Sequence, residues 1–170
     1  MPPISGTSAL PELNVRTYVS YGGKPGVYFF SLDAGSRLAV WGARTFYKLP
    51  YCFARMHVHE REGWITYESS RSSSPPAEFS GCYRPEGPVD LRAPGSLEHW
   101  LTERYCLYTV SRGAVYRSEI HHPQWPLQNA EAEIRANTMA AAAGIQLSSA
   151  IPLLHFSKRL DVLIWPLKKA

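Results

Sequence analysis

From Leu13 to Val19 the chain reads Leu-Asn-Val-Arg-Thr-Tyr-Val, apolar and polar by turns. That two-residue period predicts a strand with one face buried. Gly22-Gly23-Lys24-Pro25-Gly26 predicts a turn, and the β-branched and aromatic run from Val27 to Leu32 predicts the return strand of a hairpin. Leu38, Ala39, Val40, Ala43, Phe46 and Tyr47 then recur at helical spacing. Ser36 precedes them as an N-cap, and Leu49-Pro50 closes the helix because a residue before proline disfavours the helical region. Tyr51 to Glu60 predicts a strand, Glu60 to Gly63 a turn, and Trp64 to Glu68 another strand. Residues 69–77, SSRSSSPPA, predict a loop at a hairpin tip. Phe79 to Tyr83 predicts a further strand, and Arg84 to Gly95 a proline-rich connection.

Beyond that point Ser96 caps a short helix over Leu97 to Thr102, with Glu98 in the first turn where the helix dipole favours negative charge. Tyr105 to Val110 and Ala114 to Ile120 form a hairpin about Ser111-Arg112-Gly113. His121 to Leu127, with two prolines, is irregular. Asn129 to Ala143 carries a polar cap, early glutamates, an alanine run and Gly144 as a stop, and predicts the best helix of the chain. Leu154 to Pro166 alternates in part and predicts a last strand, while residues 1–11 are an extended lead-in. Many short strands with three interspersed helices favour an α+β domain with a mostly antiparallel sheet over a doubly wound one.

Composition narrows the function classes. A length of 170 residues suits one domain over 1–170 with a sizeable core. The net charge of +4 comes from scattered Lys and Arg, so no nucleic-acid partner is expected. Three cysteines, Cys52, Cys82 and Cys106, lack the spacing of a disulfide framework or a zinc site. No apolar run is long enough for a membrane span, and the first residues lack the layout of a signal peptide, so a cytoplasmic location and no membrane partner are expected. Neither GxGxxG nor a Walker loop occurs, and no cofactor is expected.

Several residue types deserve weighing as chemistry. His57 and His59 share one face of a strand, as a metal pair would, although two ligands do not define a site and two hydrogen-bonded strand histidines read as well. Glu119, His121 and His122 stand where a strand enters a Pro- and Trp-rich loop. His121 there suits an acid or base oriented by Glu119, unless these groups only tie down the loop backbone. Of Glu103 and Arg104, adjacent on extended chain, one faces inward and needs a partner. Arg16 shares a face with Asn14 and Tyr18, which would bind an anionic or carbonyl ligand if that face lines a cavity. The cysteines default to packing.

The runs ELNVRTYV at 12–19, GKPGVYFFSLDA at 23–34, PGSLEHWLTERYCLYT at 94–109, EIHHPQWPLQNAEAEI at 119–134 and LLHFSKRLDVLIWPL at 153–167 together resemble the YqjF-like family, domain of unknown function 2071. The resemblance spans nearly the whole chain. It implies a fold similar to acetoacetate decarboxylase, a curved antiparallel sheet around a small-molecule cavity with helices outside. Relatives carry an additional N-terminal segment before the first of these runs, so a shortened N-terminus and a sheet edge open to a second copy are expected. The stretch Gly42-Ala43-Arg44 to Leu49-Pro50 is similar to the segment that precedes the decarboxylase lysine pair, but Tyr51 and Cys52 stand at the lysine positions and cannot form an imine. Lys48, two places before the proline, is not assigned the role. The expectation is a small-molecule-binding protein without Schiff-base chemistry, its cavity lined by Arg16, Tyr51, Glu103, Arg104, Glu119 and His121. Arg16 or Arg104 would hold a carboxylate, and Glu119 or His121 would move a proton. A lyase or hydrolase built on His121 and a carboxylate, with or without a metal at His57 and His59, and a non-catalytic interaction module stay open beside it.

Overall fold

The computed structural model describes residues 10–148 and 150–170, so the expected lead-in lies, up to residue 9, outside the described residues. The elements run β1 (Glu12–Tyr21), β2 (Lys24–Ala34), α1 (Arg37–Tyr47), β3 (Tyr51–Phe53), β4 (Arg55–Arg61), β5 (Trp64–Arg71) and β6 (Ala77–Asp90). There follow α2 (Leu97–Thr102), β7 (Cys106–Ser111), β8 (Ala114–His121), β9 (Leu127–Asn137), α3 (Met139–Ala142), and three two-residue strands: β10 (His155–Phe156), β11 (Leu163–Ile164) and β12 (Lys168–Lys169). The expected α+β class is borne out.

One sheet has the order β1-β2-β7-β8-β11, with β3 on β2 and β12 on β8; the other runs β10-β9-β6-β5-β4. β2 pairs in parallel with β7 and with β3, while the β7–β8, β8–β11, β8–β12, β4–β5, β5–β6 and β9–β10 pairs are antiparallel. The helix signals act as expected: Ser36 Oγ accepts from Ala39 N at 3.3 Å and Ser96 Oγ from His99 N at 3.2 Å. α1 stops at Lys48, a C-cap residue with φ of 54°.

Four expectations need correction. Residues 129–137, expected as the start of a helix, belong to β9, and only Met139–Ala142 is helical. Ala130, Ala132, Ile134 and Ala136 alternate with Glu131, Glu133 and Arg135, which is equally a strand period, and pairing in the sheet outweighs alanine's modest helix preference. Gly81 on β6 makes room for that strand: a Cβ there would lie 2.8 Å from the Glu133 carbonyl oxygen. Residues 84–90, expected as a connection, continue β6 in spite of Pro85 and Pro88. Residues 69–71, expected as the start of a loop, finish β5; Ser69 and Arg71 are buried there, leaving 72–76 as the hairpin tip. The expected last strand is broken into β10 and β11.

The described residues pack as two compact units. The first takes those of 1–15, 30–83 and 132–150, the second those of 16–29, 84–131 and 151–170. Leu32, Ala34, Val40, Leu49, Ala54, Ala77, Met139 and Ala140 are buried in the first. Val27, Cys106, Leu107, Tyr108 and Leu127 are buried in the second. No helix among the described residues is long and apolar enough to cross a membrane.

Candidate functional site

In the second unit, α2 is one and a half turns of capped helix whose end delivers an aromatic and a cation together. Ser96 accepts at one end, and the Glu103 backbone N–H closes the other on the His99 carbonyl at 2.9 Å. Trp100 therefore faces the Tyr18 ring at 4.9 Å between centroids. Arg104, the first residue past the turn, lays its guanidinium 4.1 Å from the Trp100 centroid and 5.6 Å from that of Tyr18. Arg16 reaches the same Tyr18 ring from β1 at 5.9 Å. Two cations on one aromatic pair gain from the ring quadrupole, not from a carboxylate. Arg104 Nη1 donates to the Glu103 carbonyl at 3.2 Å, while its Nε is buried without a protein partner among the described residues. Burial pulls its pKa down, although a guanidinium stays charged at any physiological pH.

Glu103 and a histidine complete this neighbourhood. Tyr105 donates its hydroxyl to Glu103 Oε2, which, with burial, pushes the phenol up to about 12. Glu103 Oε1 and Trp125 Nε1 are buried without protein partners among the described residues. His122 stacks on Tyr105 at 4.8 Å and meets Trp125 edge-on at 6.0 Å. Its Nδ1 lies 2.8 Å from the Pro123 carbonyl and its Nε2 3.4 Å from that of Arg104. Both ring nitrogens thus face carbonyl acceptors, and His122 sits as a buried pin between loop and strand.

Glu119 and His121 come together elsewhere in the same unit. Both lie on the β8 face that also carries Arg117, and with Ile120, Trp165, Pro166 and Lys168 they line a half-open pocket of about 240 Å³. Lys24 donates to Glu119 Oε2, and Arg117 Nε stands 3.3 Å from Oε1. The Lys24 hydrogen bond, then the charges of Lys24, Arg117 and Lys168, hold the Glu119 carboxyl below the usual carboxylate range. It is a fixed anion at neutral pH, suited to balancing charge rather than to delivering a proton.

In the first unit Tyr51 opens β3 and donates its hydroxyl to Glu12 Oε2 at 2.6 Å; burial, then the Glu12 charge and hydrogen bond, raise its pKa and keep it a phenol. Cys52 lies in register beside Asp33. His57 and His59 are exposed on β4, and no group of three or more His, Cys, Asp or Glu among the described residues is placed to hold a metal. Arg16, Glu103 and Arg104 thus gather around Tyr18 and Tyr105, Glu119 and His121 share a separate pocket, and Tyr51 belongs to the first unit.

Sequence reasoning missed the most buried ion pair among the described residues. Arg71 Nη1 donates to Asp33 Oδ1 at 2.8 Å, with side chains 3% and 0% exposed. Asp33 followed a strand expected to stop at Leu32, and Arg71 sat in a serine-rich run that looked like a loop. The signal that finds them is alternation: Tyr67, Ser69 and Arg71 share one face of β5 as Ser31 and Asp33 share one face of β2.

The backbone defines the class before any side chain does. The fold matches the crystal structure of acetoacetate decarboxylase from Legionella pneumophila subsp. pneumophila str. Philadelphia 1 with a TM-score of 0.65, over 95% of this chain and 66% of that one, at 13% identity. The protein therefore has an acetoacetate decarboxylase-like fold, as expected, and at that identity the likeness concerns fold alone. The sequence profile of the DUF2071 family, an uncharacterized conserved protein, matches residues 1–161, and the chain belongs to that family. It is 53% identical over 169 residues to the uncharacterized protein YqjF of Bacillus subtilis (strain 168), covering 99% of this chain and 70% of that protein. The chain thus spans about two thirds of the length of the proteins it matches.

Proposed function

We propose that this DUF2071 protein uses its decarboxylase-like fold to bind a small carboxylate or carbonyl compound without Schiff-base chemistry. The observation that carries the reading is Arg104: a half-buried guanidinium packed on Trp100 and Tyr18, with a buried Nε and no carboxylate in ion-pair distance among the described residues. A buried donor on a charged group is costly to leave unmade, and a carboxylate or carbonyl oxygen satisfies it. Arg16 supplies a second cation on the same ring, and Trp125, edge-on to His122, has a buried Nε1 without a protein partner among the described residues. Tyr51 and Cys52, at the positions where the resemblance would place lysines, offer no amine to a ketone.

Pyruvate, which carries both groups, tests this. Calorimetric titration should show saturable binding to the parent. Arg104→Gln should weaken it by about 10- to 100-fold, the size expected for losing a hydrogen bond to a charged group. Borohydride added to the complex should trap no adduct on the protein. Equal affinity in the parent and Arg104→Gln, or a borohydride-trapped adduct, would discard the reading.

A further inference from the structure

The first unit carries a recess that shares no residue with the Arg104 neighbourhood. It is a half-open cleft of about 490 Å³, lined by α1, β3 and the 72–74 stretch at the tip of the β5–β6 hairpin. That size falls within the range of about 300–1,000 Å³ usual for small-molecule sites, whereas the pocket of about 240 Å³ around Glu119 falls below it. The whole lining belongs to the first unit. Arg37, Val40, Trp41 and Arg44 recur at three- and four-residue spacing and so share a face of α1. Val40 is buried and pins that face to the core, while Arg37, Trp41 and Arg44 stay exposed. Arg37 lays its guanidinium 4.2 Å from the Phe53 centroid, which steers it over β3. Trp41 lies one turn from each arginine, and Phe46 meets its ring edge-on at 6.2 Å. Ser72, Ser73 and Ser74 add three hydroxyls to the lining.

The charge in this cleft is one-sided. No Asp or Glu lines it, and neither arginine has a carboxylate in ion-pair distance among the described residues. Residues 1–9 and 149 include no Asp or Glu either. Arg37 and Arg44 therefore leave two positive charges without a counterion, on groups that do not deprotonate in proteins. A phosphate monoester brings about −1.5 to −2 charges at neutral pH and three strongly accepting oxygens. Two planar forks of donors and a row of hydroxyls match that group in charge and in hydrogen bonds. A carboxylate brings one charge and two oxygens, and would leave one fork unmatched. The exposed indole of Trp41 between the forks offers a face on which a flat ring stacks. Inorganic phosphate would leave that face bare. We propose that the cleft between α1 and the 72–74 tip binds a small phosphate monoester with a flat ring, its phosphate on Arg37, Arg44 and the serines and its ring on Trp41.

Phenyl phosphate, a minimal compound with both groups, is the probe. Calorimetric titration of the full chain should show saturable binding. Inorganic phosphate should bind roughly three- to tenfold more weakly, the range expected for losing one aromatic pair. Arg44→Gln, on the exposed face of α1, should weaken phenyl phosphate by about tenfold, as for a lost hydrogen bond to a charged group. If that variant does not fold, Arg44→Lys, which keeps the charge and loses the fork, should show a smaller loss of the same sign. Trp41→Ala should close the gap between phenyl phosphate and inorganic phosphate. A response in the parent that does not saturate, equal affinity for the two phosphates, or an unaltered affinity in the Arg44 variants would overturn the proposal. Arg104→Gln should leave phenyl phosphate binding intact and Arg44→Gln should leave pyruvate binding intact, so failure here and failure of the carboxylate reading give different results.

Discussion

Each compact unit has an ion pair joining two strands, and the two pairs behave in opposite ways. In the first unit Asp33 and Arg71 are 0% and 3% exposed; in the second Lys24 and Glu119 are 39% and 40% exposed. Desolvation raises the Asp33 carboxyl in spite of its arginine, whereas the Lys24 hydrogen bond lowers that of Glu119 in spite of partial burial. The lesson is that solvent, not the presence of a partner, decides the sign. Out of water, the cost of stripping hydration from two ions exceeds much of their attraction; half in water, that cost is small and so is the gain.

The comparison breaks most sharply at the buried pair. Asp33→Ala or Arg71→Ala alone should lower unfolding free energy by about 3–5 kcal/mol, because each leaves an uncompensated interior charge. Asp33→Leu/Arg71→Met together should recover most of that, which denaturant titration of all three variants checks. A double variant as unstable as the singles would show that the pair stabilises the fold rather than merely tolerating its own burial.

Next in size come the close backbone approaches. A Cβ at Gly26 would fall 2.6 Å from the Cys106 carbonyl oxygen in the second unit, and one at Gly81 2.8 Å from that of Glu133 in the first. Gly26→Ala and Gly81→Ala should each cost about 1–3 kcal/mol by overpacking. Equal losses would show both units to be rigid at these crossings, and a much smaller loss in one would mark that unit as the softer.

The smallest effect belongs to the exposed pair. Lys24→Met should cost less than about 1 kcal/mol and fade further in 1 M salt. Its pH signature has a definite sign. Because the folded Glu119 carboxyl is depressed, its contribution is present above the ordinary carboxylate value of about 4.3 and is lost as pH falls through the folded value. The stability gap between parent and Glu119→Gln should therefore close below about pH 4. Asp33, raised in the fold, has the opposite slope: its ionisation opposes folding as pH rises through the raised value. A gap that widens in acid would contradict the assignment of Lys24 as the partner of Glu119.

Local chemistry was legible where it acts alone. Ser36 and Ser96 cap the helices expected of them, and Arg112 and Gly113 take the positive φ angles, 50° and 74°, that the β7–β8 turn requires. It failed where sheet pairing competed with it. The alanines and glutamates of 129–137 satisfy a helix and a strand alike, and only the neighbouring β6 decides. The same holds for the site. Arg104 stood out because a cation beside a strand end needs a partner. Asp33 and Arg71 did not, since their neighbours Ser31 and Ser69 look solvated in sequence, and their burial arises from contact between strands 38 residues apart.

The outer edge of β8 is sealed only by short pieces: Leu163 and Ile164 pair with His121 and Ile120, and Lys168 and Lys169 with Arg117 and Tyr116. Between them, Trp165 and Pro166 form a wall of the pocket that holds Glu119 and His121. The Trp165 and Ala170 N–H groups add bonds to the Glu119 and Val115 carbonyls at 3.0 and 2.9 Å, and Ser118 Oγ donates to the Trp165 carbonyl, so it is β8 alone that anchors this stretch to the sheet. When it peels away, the sheet gains a bare rim and the pocket loses its wall in one event. Whatever occupies that pocket would therefore also act as a latch on the last strand of the chain.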